Sequence, residues 1–142
     1  MTHAATRNDR ERGSATTELV LLTPVLIVLL LFVVAVGRLS AAREDVDAAA
    51  RDAARAASDA RSIARADSDG QAAAHASIRE GDASCGRLTV TIDTSNFRTG
   101  GTVTARVACI VDYADLTRLG VPGSRTIDST FTAPVDQYRG VG

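Results

Sequence analysis

The sequence predicts an α+β fold: a long N-terminal helix, part transmembrane anchor and part Ala-rich stem, followed by a small three-stranded antiparallel sheet. Three observations carry this expectation. An uncharged apolar run fills residues 19–37, alanines recur at spacings of three and four over residues 39–63, and beyond Gly81 the apolar period becomes two.

The apolar run is bracketed by Glu18 and Arg38 and holds no charge. As a helix rising ~1.5 Å per residue it spans roughly 28 Å, close to the ~30 Å hydrocarbon core of a bilayer. The rival is a cleaved secretory signal, whose apolar core is shorter and for which Ser40-Ala41-Ala42 offers small residues at a cut site. Thr23-Pro24 lies in the first turns. The proline removes one donor and leaves the carbonyl of Val20 without its helix partner, so Pro24 marks a kink, either tolerated or functional, with Thr23 the expected repair. Arginines flank both ends (Arg7, Arg10 and Arg12 before; Arg38, Arg43, Arg51 and Arg55 after), so the positive-inside count does not orient the span.

Beyond the run, Leu39, Ala42, Val46, Ala49, Ala53, Ala56, Ala60 and Ile63 form a heptad seam, predicted to pack on the protein's own sheet or on a partner helix. The expectation is one nearly continuous helix over residues 15–66, broken at Asp69-Gly70, then a second short helix over 71–80 ended by Gly81. The strands follow. Leu88, Val90 and Ile92, then Val103, Ala105 and Val107, then Ile127, Ser129, Phe131 and Ala133 each define one inward face. Gly100-Gly101 closes the first hairpin, with Leu88 expected opposite Val107, Val90 opposite Ala105 and Ile92 opposite Val103. Residues 114–125 read as a loop, and the tail after Pro134 as frayed. Cys85 and Cys109 both follow the apolar run. In an exported domain such a pair suggests a disulfide, the alternative being two core thiols, and the strand register brings them near each other.

The junction before the span reads Arg10-Glu-Arg-Gly-Ser-Ala-Thr-Thr-Glu18-Leu19. A carboxylate abutting hydrocarbon is costly unless paired, which makes Glu18 a site candidate, although an ordinary interfacial anion at a helix start is the plainer reading. A basic leader, Gly13, a small residue, Glu18 and then a long apolar helix resemble the processing site of type IV prepilins. The stretch Arg12-Gly-Ser-Ala-Thr-Thr-Glu-Leu-Val-Leu-Leu-Thr-Pro-Val-Leu26, with its proline six residues after the glutamate, resembles the TadE/TadG-like pseudopilins of the tight-adherence (Flp pilus) system, over roughly the first sixty residues. It departs from major pilins in having Ser-Ala-Thr-Thr between glycine and glutamate.

The resemblance implies a pilin-like architecture and a cut by prepilin peptidase between Gly13 and Ser14. It also implies a role for Glu18 in subunit registration and a place in assembly of a pilus or secretion apparatus. Its implied partners are the prepilin peptidase, other pseudopilins or Flp pilin, and inner-membrane platform proteins, with a helix-mediated oligomer. The expected organisation is a cytoplasmic leader (1–13), a transmembrane helix (14–37), a helical stem (38–80) and an extracytoplasmic β domain (81–142), at the cell membrane, surface or pilus. Two other readings stay open: an uncleaved membrane-anchored extracellular binding module, and a small protein released by signal peptidase.

Composition narrows the class further. All 16 basic residues are Arg, the net charge is −1, and only 4% of residues are aromatic, so neither a basic surface nor a stacking platform for nucleic acid is present. His3 and His75 lie in different segments, and no CxxC, HExxH, GxSxG or phosphate-loop motif occurs. The expectation is therefore a non-enzyme with no cofactor and no metal.

Overall fold

A computed structural model describes residues 8–81, 85–112 and 122–138. The elements, in order, are α1 (Asn8–Asp59), α2 (Ile63–Glu80), β1 (Arg87–Asp93), β2 (Thr102–Asp112) and β3 (Ser124–Pro134). The fold is α+β, with a long N-terminal helix, a short helix and a three-stranded antiparallel sheet. The chain forms two compact units, Met1–Val36 and Gly37–Gly142, each described in turn.

The first unit is the apolar part of α1. Its most hydrophobic stretch has a mean hydropathy of 3.3, and α1 is long and apolar enough to cross a membrane. From Leu19 to Val36 the large apolar side chains are exposed, and none of this stretch is buried by the rest of the chain. A helix from a water-soluble core would hide at least one stripe against its neighbours.

The second unit is built on the sheet, ordered β1-β2-β3 and antiparallel throughout. The predicted inward faces are the observed ones: Val103, Ala105, Val107, Cys109 and Val111 of β2 are buried, with Ile127 and Ala133 of β3 beside them and Leu88, Val90 and Ile92 of β1 half-buried. Against this face lie Ala42, Val46, Ala49, Ala50, Ala53 and Ala54 of α1, and Ala74 and Ile78 of α2. The stem thus packs on its own sheet. Its stripe is broader than the predicted seam, because a straight helix drifts from a seven-residue repeat and brings Ala50, Ala54 and Ala57 inward. Ala56 is only half-buried, and Ile63, at the end of that seam, is 56% exposed. The largest fully buried side chains are Val46, Val103, Val107, Val111 and Cys109. With ~0.8 kcal/mol per buried methylene, so small a set of side chains gives limited hydrophobic stabilisation.

The outward face of the sheet is polar. The Thr104 and Thr132 hydroxyls lie 2.9 Å apart, and Arg106 donates to Asp128 at 3.1 Å. That ion pair is at least half exposed, which limits it to at most about 1 kcal/mol.

Four expectations are corrected. The helix break falls at residues 60–62, not at Asp69-Gly70. Ser62, in extended conformation (φ −149°, ψ 158°), caps α2 by accepting from the Arg65 N–H at 3.3 Å. Gly70 lies inside α2, buried, and α2 ends at Gly81 as predicted. The β1–β2 register is displaced by two residues: Leu88 faces Cys109, Val90 faces Val107 and Ile92 faces Ala105. A two-residue slip leaves every side chain on its face, so alternation alone could not choose between the registers. The hairpin loop chooses. Thr102 donates its backbone N–H to the Asn96 carbonyl at 3.1 Å, Asn96 Nδ2 donates to Thr102 Oγ1 at 3.1 Å, and Gly100 takes φ +71° where the turn closed by the Gly101 N–H to Arg98 carbonyl bond requires it. The predicted loop 114–125 falls largely outside the described residues, and its last two residues, Ser124 and Arg125, begin β3. The tail is also anchored at its start. Val135 is buried, and its N–H donates to the Gly101 carbonyl at 2.9 Å, so strand pairing continues past Pro134.

Candidate functional site

Candidate functional residues fall in three places. The first is the start of α1. Gly13 and Ser14 lie within α1 rather than ahead of it. Glu18 is exposed and makes no hydrogen bond or ion pair among the described residues. A carboxylate in that setting, at the edge of an uncharged apolar helix, needs water, lipid headgroups or an external cation to satisfy it.

Five and six residues on, Thr23 and Pro24 sit in the helix without interrupting it. The Thr23 hydroxyl donates to the Leu19 carbonyl at 2.7 Å, four residues back. This corrects the expected repair: the hydroxyl satisfies itself one position before Val20, the carbonyl that Pro24 deprives of a donor.

The second place is the start of β1, where Cys85 and Cys109 are joined in a disulfide with Cα atoms 5.5 Å apart. Cys109 sits fully buried on the inward face of the central strand. Cys85 precedes the first strand residue, and the Gly86 N–H donates to the Ile110 carbonyl at 2.8 Å, which holds the approach to β1 against β2. The bond therefore ties the segment entering the sheet to its central strand.

The third place was not visible in the sequence. Arg43 and Asp47 of α1 and Arg125, Thr126, Ile127 and Asp128 of β3 line a polar cleft of about 320 Å³. The two groups lie some eighty residues apart and share no motif, so only the fold brings them together. Among the described residues no cluster of His, Cys, Asp or Glu is arranged to hold a metal ion.

With the junction, the span and the stem placed on one helix, similarity to known proteins can be set against them. Residues 13–55 match the family model described as TadE-like protein. The match starts at Gly13, takes in Glu18, Pro24 and the apolar run, and ends at Arg55 in the stem, so the likeness read from the junction residues extends over that segment. The disulfide-bonded sheet lies outside it. The TadE-like family is a pilus-associated structural family; the matched segment supports an association with a tight-adherence pilus, and its apolar helix is consistent with a membrane-anchored component of that system. No curated protein and no solved structure matches the chain.

Proposed function

We propose that this protein is a minor pseudopilin acting in the assembly of a tight-adherence (Flp, type IV-like) pilus or secretion apparatus. The observation that carries this reading is the TadE-like match, which begins at Gly13 and runs through Glu18, Pro24 and the apolar helix.

In this reading the apolar part of α1 holds the subunit in the bilayer, N-terminus in the cytoplasm. The sheet lies on the far side, where an oxidising compartment suits the Cys85–Cys109 bond. Prepilin peptidase cuts between Gly13 and Ser14. The Ser14 amine it frees lies four residues, about one helical turn, from Glu18. An α-ammonium and a carboxylate at that spacing can pair within a subunit or between neighbours, which offsets the cost of holding either charge at the edge of lipid. Glu18 thereby registers the subunit against other pseudopilins or the Flp pilin, on a base of inner-membrane platform proteins. Pro24, by freeing the Val20 carbonyl, supplies an acceptor for a neighbouring helix.

The intact mass of the protein purified from pilus-forming cells tests the reading. Ser14 as first residue is the expected result, with the leader retained in Gly13→Leu. Retention of the leader in the wild-type protein overturns it.

A further inference from the structure

The polar cleft between α1 and the start of β3 has a charge arrangement that the assembly role does not use. Arg43 and Asp47 stand one turn apart on α1, and Arg125 meets them from β3 beside buried Ile127, while Asp128 borders the cleft from the sheet's outward face. The two carboxylates do not neutralise the two guanidinium groups. Asp128 is engaged by Arg106 at 3.1 Å, and Asp47 contributes only its backbone carbonyl, which accepts from Arg51 Nε at 3.1 Å. Arg43 and Arg125 make no hydrogen bond or ion pair among the described residues. Two unpaired guanidinium forks opening on one concavity form a receptor for an oxyanion. A carboxylate's two oxygens lie in one plane and suit one fork, whereas the oxygens of a phosphate mono- or diester are set on a tetrahedron and can present one edge to each fork. Asp47 then faces the same ligand as a free acceptor and suits a donor group next to the phosphate. A volume of about 320 Å³ lies at the small end of the range of ~300–1,000 Å³ for ligand sites, room for a headgroup-sized molecule.

We propose that this cleft binds a phosphate ester, its phosphate held between Arg43 and Arg125 and a neighbouring hydroxyl or ammonium group donating to Asp47. The same chemistry is offered by a soluble ester and by a phospholipid headgroup.

The test uses the full chain in a phosphate-free maltoside detergent, with the arginine Nε–Hε resonances followed during titration with O-phosphoethanolamine. Saturable shifts at Arg43 and Arg125 are expected. Arg43→Gln or Arg125→Gln should weaken binding at least about tenfold, the loss of one charge-assisted contact, while Arg55→Gln, on α1 but outside the cleft, leaves it unchanged. Asp47→Asn should weaken the ester but not inorganic phosphate. Reconstitution into phosphatidylethanolamine nanodiscs assigns the source: shifts without added ester identify the headgroup, and shifts only with added ester identify a soluble ligand. Absence of saturable shifts with both probes, or equal binding by the Arg43→Gln/Arg125→Gln double variant, overturns the proposal.

Discussion

Gly70 of α2 lies so close to Ile92 of β1 that a Cβ on the glycine would stand 2.8 Å from Ile92 Cδ1 and 3.2 Å from the Ala53 carbonyl oxygen of α1. Three elements therefore meet at a point that has room for a hydrogen atom only. The end of Ile92 can turn aside, but the Ala53 carbonyl belongs to a helix backbone and cannot. Glycine inside a helix normally costs ~0.5–1 kcal/mol against alanine, yet here overpacking outweighs that gain. Gly70→Ala should lower stability by about 1 kcal/mol and Gly70→Leu by about 2 kcal/mol or more. Ile92→Val should restore part of the alanine loss. Circular-dichroism denaturation of the full chain in detergent reads all three.

The Cys85–Cys109 bond spans a sequence separation of 24 residues. Closing a loop of that length restricts the unfolded chain enough to contribute about 3 kcal/mol. The paired Cys85→Ser/Cys109→Ser variant should lose that much in denaturant titrations. Reductant should shift the wild-type midpoint to the same value and leave the variant unmoved.

Asp93 supplies a dependence on pH. It accepts the Ser95 backbone N–H at 2.9 Å, and this bond, with a smaller share from the Ser95 side chain, holds its carboxyl below the ordinary value of 3.8. A carboxyl depressed in the folded state stabilises fully above its unfolded value, and that contribution is lost as pH falls through the folded one. Asp93→Ala should therefore be less stable than wild type near about pH 6, and the two should converge once the pH has fallen through the depressed folded value. Equal denaturation midpoints at both ends of that range would exclude any role for Asp93 in fixing the hairpin.

Glu18 sits exposed at the edge of the apolar helix. On the assembly reading, Glu18→Ala should leave membrane insertion intact and abolish fibre production. Glu18→Gln, which keeps shape but not charge, should fail in the same way. Membrane fractionation and surface-fibre counts check both, and normal fibre output from Glu18→Gln would remove charge pairing from the mechanism.

The sequence made some of this visible and hid the rest for physical reasons. Alternation placed Val103, Val107, Ile127 and Ala133 on the inward face, and the uncharged run marked the apolar helix. The helix break was missed because glycine is the usual signal of a stop, and Gly70 is instead used for close approach. The real signal was Ser62, an N-cap residue hidden in an Ala/Arg tract. The register was missed because a period of two is blind to a slip of two, and the deciding bonds, between Asn96 and Thr102, lie in the loop. The disulfide was anticipated despite that slip because Cys85 sits ahead of the ladder, where the chain between it and Arg87 can adjust. The Arg43–Arg125 cleft had no local signature, since its halves come from a helix and a strand far apart in the chain.

The stem's alanine stripe also changes which mutations do harm. In an interior of leucines and phenylalanines, damage comes from trimming, which leaves a void. Along Ala49, Ala50, Ala53, Ala54 and Ala57, all fully buried, there is almost nothing to trim, and a single added methyl group has nowhere to go. Drift toward valine or leucine, harmless on most helices, would here push helix and sheet apart, so this face is held to small residues by geometry alone.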